Sequence, residues 1–102
     1  MLPFKDLGPQ DFKALINDDA VLLDVRTPQE VAQGTIEGAI AIDIMNPNFP
    51  NQINELDPDK KYLVFCRSGQ RSAQACMYMS QQGFEDLVNL QGGFLAWVST
   101  YQ

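Results

Sequence analysis

Three short stretches of this chain, residues 20–25, 62–65 and 87–90, are almost wholly apolar and show no alternation of apolar with polar positions. A strand with one face in water alternates, so each stretch reads as a strand buried on both faces, as in a parallel sheet covered on either side by helices. Residues 40–44 add a further short apolar strand. Parallel strands need crossover connections, and the intervening segments supply helices. Phe12, Leu15 and Ile16 recur at helical spacing over residues 9–17, with Pro9 suited to a first turn. Thr27, Pro28 and Glu30 spell a capping box with proline at the first helical position, and Gly34 stops that helix. Phe49, Ile53 and Leu56 mark another helical face after the breaks at Asn46, Pro47 and Pro50. A longer helix is expected over residues 71–82, closed by Gly83 with Phe84 placed against Met79 as in a Schellman cap. Phe94, Trp97, Val98 and Tyr101 form the apolar face of a last helix after a Gly92–Gly93 turn.

Strands thus alternate with helices along the whole chain. The expectation is one α/β domain over residues 1–102, with a mostly parallel, roughly five-stranded central sheet and helices on both faces. In such folds ligands bind at the carboxyl ends of the strands, where Asp24 and Cys66 both fall.

Charge and residue usage narrow the chemistry. A net charge of −6 argues against nucleic acid or an anionic membrane as main partner, because both call for basic surfaces. No apolar stretch approaches the ~20 residues needed to cross a bilayer, and the amino terminus does not read as a signal peptide, so a cytoplasmic protein is expected. The chain has no histidine, which removes the commonest metal ligand and the usual general base; no metal or other cofactor is expected. Its two cysteines, Cys66 and Cys76, fit neither a disulfide framework nor zinc spacing, which points to a reduced thiol.

The segment Cys66-Arg67-Ser68-Gly69-Gln70-Arg71-Ser72 runs from a strand end into a helix start. Unpaired N–H groups and the helix dipole at such a junction favour an anion, and a thiolate is one. A cysteine is only a few per cent ionised at neutral pH unless a helix amino terminus or nearby cations lower its pKa, and the two arginines here are candidate cations. Gly69 lets the loop curl around the sulfur. Arg71 is the oddity, since a cation in the first turn opposes the dipole unless an anion sits beside it. The opposing reading, a buried inert cysteine with Arg71 turned to solvent, is a common arrangement in proteins.

These residues resemble the rhodanese-like family, and the likeness spans nearly the whole chain. Residues 21–26 are similar to its "DVR" strand end, Gly34-Thr35-Ile36-Glu37-Gly38-Ala39 to its "GHIPGA" turn, and Gly92-Gly93-Phe94-Leu95-Ala96-Trp97 to its "GGxxxW" closing helix. Thr35 and Glu37 depart from that turn's usual histidine and proline, at positions that shape the turn rather than the chemistry. The resemblance implies that Cys66 carries a persulfide, taken from thiosulfate or another persulfide donor and passed to cyanide or a thiol. It further implies that the loop Arg67, Ser68, Gly69, Gln70, Arg71 and Ser72 binds the sulfur-containing anion. A related phosphatase branch uses a loop one residue longer, with arginine six places after the cysteine; here Ser72 holds that place and Arg71 falls one short.

Other residues have plainer readings. Asp24 and Arg26 are expected to pair and support the pocket. Glu30 is explained by the capping box. Cys76 is read as core, on the helix face of Ala73 and Met77, and Trp97, Phe94 and Tyr101 as core aromatics. Arg67 and Ser68 are placed at the loop mouth, to touch an anionic donor or an acceptor protein. The alternative to an enzyme is a partner-specific sulfur-relay or docking module; a phosphatase or arsenate reductase ranks third.

Overall fold

The computed structural model describes residues 2–101. Ten elements alternate along the chain: β1 (Lys5–Leu7), α1 (Pro9–Ala14), β2 (Ala20–Asp24), α2 (Pro28–Ala32), β3 (Ile40–Ala41), α3 (Phe49–Asn54), β4 (Lys61–Phe65), α4 (Gln70–Gln81), β5 (Leu87–Leu90) and α5 (Gly93–Tyr101). The sheet is five-stranded in the order β1-β5-β4-β2-β3, and every pairing is parallel. The expected α/β architecture is therefore the observed one. Period-two alternation sends neighbouring side chains to opposite faces. Tyr62, Val64 and Cys66 face α3 and α4 in one core layer with Leu23, Ile53, Cys76 and Met79. Leu63 and Phe65 face α1 and α5 in the other, with Phe12, Leu22, Val88, Leu90 and Trp97.

Some element bounds differ from the sequence reading. β1 was not expected: three residues with two charges carry no strand signal, and they are a strand because the edge of β5 accepts them. The strand expected over 40–44 is regular only at Ile40 and Ala41, although Ile42 and Ile44 still donate to the carbonyls of Asp24 and Val25. α1 stops at Ala14, which leaves Ile16 exposed rather than on the apolar face. The end of α4 matches its sequence signal: Gly83, at φ +96°, follows the helix, its N–H donates to Ser80, and the N–H of Phe84 donates to Met79.

The topology selects one crevice. β2 leads through α2 to β3 on one side, whereas β4 leads through α4 to β5 on the other. The gap above the carboxyl ends of β2 and β4 is the switch point at which α/β sheets bind ligands.

Candidate active site

Cys66 follows directly on β4, in the series of residues that face α4, so its sulfur lies under the amino end of that helix. The residue is fully buried at the floor of the loop. The Gly69 N–H donates to Sγ at 3.1 Å, and the Ser72 hydroxyl lies 3.3 Å from it. Burial alone would push the thiol up; hydrogen bonds from the Ser72 hydroxyl and from the amides of Ser72, Gly69 and Ser68 outweigh it and hold Cys66 below the usual thiol value.

Those amides point inward because the carbonyls of the same loop are claimed from outside. α5 begins against the loop, and the N–H groups of Phe94 and Leu95 donate to the carbonyls of Cys66 and Arg67 at 2.8 and 3.0 Å. The Gly69 carbonyl accepts from the Ala73 N–H and from Asn89 Nδ2. Contact with α5 is close enough to require glycine: a Cβ on Gly93 would lie 2.3 Å from the Arg67 oxygen and 2.6 Å from the Ser68 nitrogen. Gly69 itself sits at φ +105°, a conformation that L side chains rarely adopt.

Arg71 answers the oddity of its position with a carboxylate supplied by the protein itself. Its guanidinium makes a two-pronged ion pair with Glu30, at 2.7 and 2.8 Å. Arg71, expected to bind the sulfur-containing anion, has its fork in an ion pair with Glu30 and stays partly exposed beside the loop. Glu30 also closes the capping box with Thr27, so one carboxylate caps α2 and ties it to α4, a role the capping reading alone missed. Arg71 draws the Glu30 carboxyl down to about 2, despite a contrary push from burial. The sulfur's close donors are the Ser72 hydroxyl and loop amides; Arg71 interacts with the Cys66 charge at longer range, and Arg67 and Ser68 lie exposed at the rim beside exposed Gln70.

Asp24 and Arg26 pair as expected, through Nε at 2.9 Å and Nη2 at 2.7 Å, both residues buried. The pair reaches further than anticipated. Arg26 Nη2 donates to the Gly34 carbonyl, the Thr35 hydroxyl donates to Asp24 at 2.8 Å, and the guanidinium lies 4.4 Å from the Phe94 ring centre. It thereby binds the end of β2 to the turn before β3 and to α5. Beside it, Arg26, Glu30, Gln33, Gly34, Arg67, Phe94 and Leu95 line a groove of ≈ 280 Å³. Cys76 is buried core, pushed up to about 12 by burial, but on the face of Ser72, Ala75 and Met79; Met77, expected beside it, is exposed. Asn89, which was not singled out in the sequence, is buried against Ser72. A polar residue inside an otherwise apolar strand was the available signal.

The rhodanese-like domain model matches residues 8–100. The chain belongs to the rhodanese-like family. A sulfurtransferase of Allochromatium vinosum is 42% identical over 80 residues, covering 78% of this chain and 73% of the relative. The thiosulfate sulfurtransferase GlpE of Pseudomonas syringae is 38% identical over 101 residues, covering 99% and 93%. Among solved structures, a rhodanese-related protein from Thermoplasma volcanium superposes with a TM-score of 0.84 at 33% identity, covering 95% of this chain and 93% of that one. Among the described residues of this rhodanese-like chain no cluster of ligating side chains could hold a metal ion, and no helix is long and apolar enough to cross a membrane.

Proposed function

We propose that this rhodanese-like chain is a sulfurtransferase that moves a sulfane sulfur from thiosulfate or a persulfide donor to cyanide or a thiol through a persulfide on Cys66. The observation that carries this is the sulfur of Cys66 under inward-turned loop amides. The Cys66 thiolate attacks the outer sulfur of thiosulfate; a new S–S bond forms, the old one breaks, and its electron pair leaves with sulfite. An acceptor thiolate or cyanide then attacks the outer sulfur, and Cys66 departs as the thiolate it was. Charge is never created on a bare atom, because amides aimed at the sulfur are in place beforehand. Arg67, Ser68 and Gln70, at the rim, meet the anionic donor. Phosphoryl transfer fits poorly: Ser72 stands where the phosphatase branch has arginine, and the Arg71 fork is filled by Glu30. Intact mass after thiosulfate exposure is expected to show one added sulfur, absent in Cys66→Ser together with turnover; unaltered turnover in that variant would end the reading.

A second reading, sulfur relay to a particular acceptor protein, draws support from the groove in which exposed Leu95 lies beside Arg67 at the loop mouth. Slow thiosulfate:cyanide turnover with fast persulfide exchange from a protein donor would favour it. Brisk turnover of the small substrates would count against it.

A further inference from the structure

Asn89 is buried on β5, with its side chain on the α4 side of the sheet, and each of its polar groups is engaged. Nδ2 has two hydrogens; one goes to Asp6 Oδ1 at 3.0 Å on β1 and the other to the Gly69 carbonyl at 3.2 Å. With both donors committed, the amide cannot be reversed, and Oδ1 must face Ser72. Ser72 therefore stands between two acceptors, Asn89 Oδ1 and Cys66 Sγ, with a single hydroxyl proton for both. While Cys66 is a thiol, each group is satisfied: S–H donates to Ser72 Oγ, and Ser72 O–H donates to Asn89. Once Cys66 is a thiolate the chain is one proton short.

We infer that Asn89 is a positioning residue for sulfur transfer, holding the Ser72 proton while the sulfur is uncharged and yielding it when the sulfur becomes negative. This deepens the proposed function and rests on Cys66 being the loaded sulfur. In the persulfide the inner sulfur is neutral, and the Ser72 proton lies on Asn89. When an acceptor takes the outer sulfur, the S–S bond breaks, its electron pair goes to Sγ, and the hydroxyl turns to the leaving thiolate. Stabilisation thus appears as the charge develops, and no proton leaves the protein. The charged and titratable groups around the sulfur are Arg67 and Arg71 on its loop, Cys76 on α4, Glu30 on α2, Asp24 and Arg26 at the end of β2, Asp43 after β3 and Asp6 on β1. Replacing Asn89 with a neutral residue changes none of these charges.

The test follows the Cys66 thiolate by its pH-dependent alkylation with iodoacetamide. Asn89→Val, which suits a strand, and Asn89→Ala are each expected to raise the alkylation rate below the titration midpoint about fivefold, because a rival acceptor is gone. Ser72→Ala is expected to lower it, and adding Asn89→Val to Ser72→Ala to change nothing more. An unchanged or lowered rate in the single Asn89 variants, or an effect that persists without the Ser72 hydroxyl, would assign Asn89 to the loop backbone alone and overturn the inference. Should neither Asn89 variant fold, the side-chain amide resonances of Asn89 serve: they should titrate with Cys66 in the unaltered protein but not in Ser72→Ala. Titration in both, or in neither, would overturn it. Sulfur loading is read separately by mass, so failure of the proposed function and failure of this inference give different results.

Discussion

Two helices start at the same crevice, α2 after β2 and α4 after β4, and their amino ends are finished in opposite ways. α2 is closed by protein: the Thr27 side chain accepts from the Glu30 N–H, Glu30 answers to the Thr27 N–H, and Pro28 removes one donor altogether. α4 has Gly69 at its N-cap, with no side chain with which to cap. Its free donors converge instead on the Cys66 sulfur, which takes the place of the missing cap. A sulfur held by amides at one strand end and a closed cap at its neighbour are thus two uses of the unpaired amides that every helix start presents. Glu30 joins the two ends, because the carboxylate that closes α2 also holds Arg71 on α4.

The contrast breaks most severely if the α4 loop loses its outer support. Gly93→Ala puts a methyl 2.3 Å from the Arg67 carbonyl oxygen at φ +63°, and about 3 kcal/mol of stability should go with it, together with most iodoacetamide reactivity of Cys66 at neutral pH. Urea unfolding and alkylation rates check both. Cutting the tie between the two ends is milder. Glu30→Gln should cost about 1 kcal/mol, since it weakens a part-exposed two-pronged ion pair while the glutamine oxygen can still accept from the Thr27 N–H. The pH dependence of stability follows from the sign of the Glu30 shift. Its pKa falls from 4.5 unfolded to about 2 folded, so the stabilisation is full above 4.5 and is lost as pH falls towards 2. Arg71→Ala should flatten that acid limb in urea midpoints taken across the window; an unchanged limb would mean that the pair is not what holds the carboxyl down.

At the closed end alone, Thr27→Ala should lower stability by about 1 kcal/mol and leave Cys66 alkylation untouched; a parallel fall in reactivity would show that the two starts are not independent. The smallest effect is expected at Cys76, buried and raised to about 12. Cys76→Ala should leave the pH profile of alkylation as it was, with all label on Cys66 by peptide mass mapping.

Much of this was legible in the residues, because local rules and the global fold agree there. Almost wholly apolar runs gave β2, β4 and β5, the Thr27–Glu30 pair gave the start of α2, and Gly83 gave the end of α4. What escaped depends on partners distant in sequence. β1 exists through its register with β5, Arg71 finds Glu30 across 41 positions, and Asn89 looks like a blemish in a strand until Ser72 and Asp6 are placed around it. Charge can be counted in a sequence, but which guanidinium is already paired cannot.

The support that α5 gives the loop has a bearing on how the protein is made. The residues that turn the loop amides inward, Asn89, Gly93, Phe94 and Leu95, all follow Cys66 in the chain. Synthesis proceeds at roughly 5–20 residues per second, so for a second or more a nascent chain has made its cysteine but not the helix that arms it. Through that interval the thiol keeps the sluggish acidity of any free cysteine, so the low thiol pKa is a property that arrives only with the completed fold.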